Sequence, residues 1–288
     1  MGAMRSVVSA VLVLLGLLLV AVSAPATWAR EHLLDTDEWT RTVSPLIAQP
    51  PVQDVVSTAL VDGVDPDRRL PDVARALLDR ATDAAVATDT FASAWDSAVR
   101  ISHEHLVETI REDGKGIDTS QGVVAIELAP LWEALLPRLD EAGIPGLDRL
   151  PSPEGTVVLD DSEKTARVLD LAGEVDAKAW PVAVVAVVAL LLGVLFARRR
   201  GRTLVLVGIG LVLVAVVEWA AWTLLKDQWI DGGGDPAGEV LLVALTDSVE
   251  SWLLPVGVTG VVVLLVGAVA SALGRAARGR AEQEAALR

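Results

Sequence analysis

The sequence predicts a mainly α-helical membrane protein: four transmembrane helices plus a mostly helical α+β extracytoplasmic domain with a small two-stranded element. Three observations lead there. The apolar half of the composition is gathered into long runs instead of being spread at helical or strand spacing. Arginines cluster at one end of those runs and tryptophans at the other. Nearly all the excess negative charge lies in one stretch between the first run and the second.

The first run, Val7 to Ala26, holds 20 residues without a charge and follows Arg5. About 20 residues at 1.5 Å each cover the roughly 30 Å of bilayer hydrocarbon. Val22-Ser23-Ala24 resembles a small-residue cleavage site. Pro25 would follow the cut directly, however, and the run is longer than a signal-peptide core, so a retained anchor over residues 1–28 is expected. Three further runs, Trp180 to Ala197, Thr203 to Leu225 and Leu253 to Leu273, make a three-helix membrane region over 179–274 with an outer loop at 226–252. The remaining residues, 275–288, form a tail.

Orientation follows from two signals of different origin. Arg198, Arg199, Arg200 and Arg202 join the second and third runs, and Arg275, Arg278, Arg280 and Arg288 follow the fourth; the positive-inside rule places both groups, with Arg5, in the cytoplasm. Six of the nine tryptophans (Trp28, Trp180, Trp219, Trp222, Trp229 and Trp252) fall at the other ends of the runs, where an amphipathic indole favours the headgroup region. Both termini are therefore expected in the cytoplasm of a bacterial plasma membrane, with residues 29–178 outside.

That outer segment carries 30 acidic and 14 basic residues from Ala29 to Lys178, a balance of −16 against −15 for the whole chain. Such charge repels nucleic-acid phosphates, so no nucleic-acid partner is expected. Cysteine is absent, which excludes disulfides, a thiol nucleophile and thiolate metal sites. Asp35 or Thr36 can cap a helix bearing Trp39, Val43 and Leu46; Pro51 and Pro71 sit where first-turn prolines would; Thr88 or Asp89 caps a long helix whose Phe91, Trp95, Val99 and Leu106 share a face. After Gly114-Lys115-Gly116 the pattern changes. Gly122 to Leu128 and Thr156 to Leu159 read as strands that pair, with a helix from Leu131 to Ala142 between them. A final helix, capped by Asp161 or Ser162, runs towards Trp180, where Pro181 predicts a kink or break.

The pattern Phe91-x3-Trp95-x2-Ala98-x-Arg100-x2-His103-x2-Leu106, then Gly122-Val123-Val124-x-Ile126-x-Leu128-x-Pro130, Val157-Val158-Leu159, and Trp180-Pro181 before an arginine-capped hydrophobic hairpin, resembles a group of uncharacterised actinobacterial integral membrane proteins. The resemblance implies a retained first helix and a cell-envelope setting. It implies no activity, cofactor or catalytic residue.

His105, Glu108 and Glu112 share one helical face at i, i+3 and i+7 and are the candidate metal ligands. Against them stands a solvated helix face, with His103 hydrogen-bonded near the core. This is not the His-Glu-x-x-His arrangement, because the two histidines lie two apart. No metal, cofactor or catalytic residue is assigned on this evidence. Glu218 is the only charge inside a run, at about 22 Å along the third helix from Thr203. Trp219 and Trp222 beside it favour an interfacial role over proton or ion handling. The glycine-rich Asp231 to Asp235 lacks the context of a phosphate loop and reads as a linker before a short surface helix that turns into the last span at Trp252. Gly257, Gly260, Gly267 and Ser271 are small enough for close packing, within the chain or in a homo-oligomer.

These features favour a non-enzymatic protein of the cell envelope whose acidic domain binds a protein, lipid or wall component. A small transporter or channel subunit working as an oligomer through Glu218, and an envelope metalloenzyme, are the alternatives. The expected partners are the lipid bilayer and an envelope protein or lipid ligand.

Overall fold

The computed structural model describes residues 2–64, 70–112, 124–127, 129–141, 156–160, 163–231 and 236–286. The chain divides into two compact units. One comprises Met1–Arg30, Val175–Trp229 and Thr246–Arg288; the other comprises Glu31–Glu174 and Ile230–Leu245.

The first unit is built from parts of α1 (Gly2–His32), α7 (Glu163–Phe196), α8 (Arg200–Asp231) and α9 (Pro236–Ala286). Each holds a segment long and apolar enough to cross a membrane: Met4–His32, Asp170–Phe196, Arg200–Gln228 and Pro236–Ala276. The protein is accordingly a multi-pass α-helical membrane protein. Two expected breaks do not occur. Pro181 lies inside a continuous α7, and α9 runs without a turn through Trp252 and Pro255. Prolines are tolerated in membrane helices because neighbouring helices and side chains satisfy the backbone groups they free.

Glycine sets the packing of this unit. A Cβ on Gly208 would lie 2.5 Å from the Leu264 nitrogen and 2.6 Å from the Gly260 carbonyl oxygen, and one on Gly267 would lie 2.6 Å from the Val205 nitrogen. A Cβ on Gly201 would come 2.9 Å from the Ser271 nitrogen. Thus α8 and α9 touch backbone to backbone along Gly201, Gly208, Gly260 and Gly267. On the other side, Gly193 of α7 admits Val13, Gly16 of α1 admits Leu190, and Ser9 Oγ donates to the Gly193 carbonyl at 2.7 Å. Gly260, Gly267 and Ser271 therefore serve contacts within one chain. Lipid tails are as apolar as the helices, so close van der Waals contact at small residues takes the place of the hydrophobic drive.

The second unit contains α2 (Thr36–Val43), a single 3-10 turn at Ser44–Ala48, α3 (Pro50–Val64), α4 (Asp72–Val86), α5 (Asp89–Glu112) and α6 (Ala129–Glu141). Local chemistry sets their starts. Asp35 Oδ1 accepts the Glu38 backbone N–H at 2.9 Å, which satisfies one donor left open at the start of α2. Thr88 Oγ1 accepts from the Phe91 backbone N–H at 3.3 Å and donates to the Ala85 carbonyl at 2.7 Å, joining the end of α4 to the start of α5. Pro50 and Pro51 open α3 and Pro71 precedes α4. The buried core draws on Ile47, Leu60, Leu78, Phe91, Trp95 and Leu135, with every helix from α3 to α6 contributing.

Two short strands, β1 (Val124–Glu127) and β2 (Thr156–Asp160), pair antiparallel with Ile126 opposite Val157. They do not make an α+β domain. That class requires a sheet layer on which helices pack, whereas the described core is made by the 3-10 turn and α3–α6, helix on helix. The expected α+β domain with a small two-stranded element is therefore corrected to a helical domain. Runs of β-branched residues such as Val123-Val124 and Val157-Val158 carry strand propensity, but a two-stranded ribbon is marginal alone and does not set the class. The glycine segments 114–116 and 232–234 lie outside the described residues.

Candidate functional site

His103 of α5 is buried and fully engaged. Its Nε2 lies 2.9 Å from the Leu33 carbonyl, which can only accept, so the ring proton sits on Nε2 and donates there. Nδ1 then accepts from the Thr36 hydroxyl at 3.0 Å. The imidazole stacks on Trp39 with ring centroids 5.3 Å apart and planes 17° from parallel. Burial holds its pKa below the ordinary histidine value, with the Leu33 carbonyl opposing the shift. One turn earlier, Arg100 donates to Asp37 at 2.6 Å; that bond holds the Asp37 carboxyl below its ordinary range and raises Arg100. His103 and Arg100 thus fasten the segment from Leu33 to Trp39 onto α5.

The metal candidates are arranged differently. His105 and Glu108 are exposed on α5, and the side chain of Glu112 lies outside the described residues. Among the described residues no group of three histidine, cysteine or carboxylate side chains is gathered for a metal ion.

Glu218 faces into the helical unit. Along α8 it continues the stripe of buried Val207, Leu211 and Ala215, and one turn later comes Trp222. Both carboxylate oxygens are buried without a hydrogen-bond partner among the described residues. An ionised carboxylate is acceptor-only and a protonated one can also donate, so the position can take a proton, a cation or a donor group from a partner.

The indoles near Glu218 bond to protein. Trp28 and Trp222 meet at 5.9 Å between ring centroids, tilted by 59°. Trp28 Nε1 donates to Ser248 Oγ at 3.2 Å, Trp222 Nε1 to Thr246 Oγ1 at 3.2 Å, and Trp252 Nε1 to the Ala24 carbonyl at 3.1 Å. These bonds tie α1, α8 and α9 together. Trp180, by contrast, leaves 60% of its surface exposed, and Trp219 is 49% exposed while its Nε1 donates to Glu250 Oε1 at 3.5 Å. Sequence position groups these rings together, while the structure divides them between helix contacts and open surface.

In the same unit, Val20, Leu191, Val207, Leu211, Pro255 and Val263 line an almost wholly apolar open groove of about 440 Å³. No signal in the sequence marks it, because uniform hydrophobicity hides which face of each helix turns inward.

No protein-family model matches the chain, and neither a curated protein nor a solved structure is detectably similar to it.

Proposed function

We propose that this is a non-enzymatic integral membrane protein of an actinobacterial cell envelope, with both termini cytoplasmic and residues 29–178 outside, whose acidic helical domain binds an envelope protein, lipid or wall component and relays that occupancy to the membrane helices. The observation that carries this reading is how often the chain passes between its units. It crosses between residues 30 and 31, 174 and 175, 229 and 230, and 245 and 246, and the segment Ile230–Leu245 belongs to the domain, where Ala237 and Val240 pack on the core. A domain held by four connections is suited to relaying strain, which a tether of one linker is not. The arginines at one end of the spans support the orientation.

Photocrosslinking groups at exposed Val73 and Leu136 in native membranes test the idea. A single recurrent species is expected. Added back to the protein in nanodiscs, it changes the distance between spin labels at Met4 and Ala276, which the cysteine-free chain accepts cleanly. No recurrent crosslink, or a bound species that leaves the label distance unchanged, overturns the reading.

The unpartnered carboxyl of Glu218 favours one second reading, a transporter or channel subunit working as an oligomer. In reconstituted vesicles, Glu218→Gln then abolishes proton or cation flux. Wild-type flux in that variant removes Glu218 from any such path.

A further inference from the structure

The helical unit has a second opening beside the turn between α7 and α8. A cavity of about 540 Å³ lies there against α1, within the roughly 300–1,000 Å³ range of small-molecule sites. Its lining combines two chemistries. Leu14 and Leu17 of α1 and Leu206 of α8 supply an apolar wall, and Arg198, Arg199 and Arg202 supply three positive charges. Leu14 and Leu206 are each 61% exposed, so the wall opens sideways, where a bilayer chain would lie. Ser9, also in the lining, has committed its proton to the Gly193 carbonyl.

Among the described residues no carboxylate is placed in an ion pair with these arginines, in contrast to Arg30–Asp176, Arg75–Asp62 and Arg100–Asp37. Three unopposed guanidiniums within five residues make a donor array matched to phosphate oxygens. Topology alone requires arginine in this turn, not a cavity beneath it. Arg275 and Arg280, which follow the last span, do not line the cavity.

We propose that this cavity binds an anionic phospholipid, its phosphate on Arg198, Arg199 and Arg202 and an acyl chain along Leu14, Leu17 and Leu206. A soluble phosphate gains nothing from the apolar wall. A zwitterionic lipid brings an ammonium group towards the same three charges, which oppose it. The anionic lipid alone satisfies both chemistries.

Native mass spectrometry of the full chain in detergent, titrated with phosphatidylglycerol or with phosphatidylcholine of the same chains, provides the test. Phosphatidylglycerol is expected to bind about tenfold more tightly. The pair Leu14→Trp and Leu206→Trp, both at exposed positions, fills the wall and weakens that binding by about tenfold with every arginine intact. The triple change Arg198→Gln, Arg199→Gln and Arg202→Gln does the same, whereas Arg275→Gln with Arg280→Gln leaves binding unchanged. Should the triple variant fail to insert or fold, the tryptophan pair decides alone. Equal retention of the two lipids, indifference to the tryptophan pair, an equal loss on removing Arg275 and Arg280, or displacement by inorganic phosphate would each overturn the proposal.

Discussion

The membrane unit and the helical domain achieve close packing with opposite residues. In the domain, Phe91, Trp95, Leu78 and Leu135 fill the space between helices, because each side chain withdrawn from water contributes about 25 cal/mol per Å². In the membrane unit the closest contacts are made where there is no side chain: Gly208 against Gly260 and Leu264, Gly267 against Val205. Apolar bulk yields no transfer gain against lipid tails, so contact distance decides instead. One chain thus obeys two packing rules, each set by the solvent around that part.

Mutations that exchange the two rules should break it. The largest effect belongs to Leu78→Ala, where a fully buried side chain leaves a cavity; thermal or denaturant unfolding should show a loss of about 2–5 kcal/mol in the domain. Next, Gly208→Ala puts a methyl group 2.5 Å from a backbone atom of α9 that cannot swing aside, and unfolding in nanodiscs should register about 1–3 kcal/mol of destabilisation. The same change at Gly257, whose added Cβ would meet only the Ala215 Cβ at an ordinary 3.7 Å, should not approach that cost.

Acid should separate the two units further, since the helix contacts Gly201–Ser271 and Gly208–Gly260 carry no titrating side chain. His103 has a lowered pKa in the folded domain, so the unfolded chain takes up a proton first as pH falls. Its stabilising contribution is complete above about pH 6.5 and is lost progressively below it. The domain's melting temperature should therefore drop on acidification through this window, and His103→Gln should flatten the profile. Asp37, also lowered, acts in the same direction but at more acidic pH, below the ordinary carboxyl value of 3.8. The smallest effect is a gain. Thr82 is fully buried and its hydroxyl has no hydrogen-bond partner among the described residues, so Thr82→Val should raise domain stability by roughly 1 kcal/mol in the same melts.

Much of the architecture was legible in the sequence because its signals are long or local. The four spans stand out by uninterrupted apolar length, and the caps at Asp35 and Thr88 by their hydroxyl or carboxyl just ahead of an amphipathic run. The rest depended on partners that no single segment reveals. Pro181 predicted a kink or break and Trp252 a turn, yet α7 and α9 run on through both. Strand propensity at Val124 and Val157 was real locally, yet the class of the domain was decided by α3–α6. The inward facing of Glu218 could have been found in its spacing from Val207, Leu211 and Ala215, but surrounding apolar residues give that stripe no contrast. The tryptophans were visible as a group, whereas only coordinates distinguish Trp28, bonded to Ser248, from Trp180, largely open.

At 51 residues, α9 is about 76 Å long, more than twice the roughly 30 Å thickness of bilayer hydrocarbon. The hydrocarbon therefore takes up less than half of this one helix, and the rest of its length must find other surroundings: Val240 has them against the domain core, while Arg275 and Arg280 carry charge that headgroups or water accept.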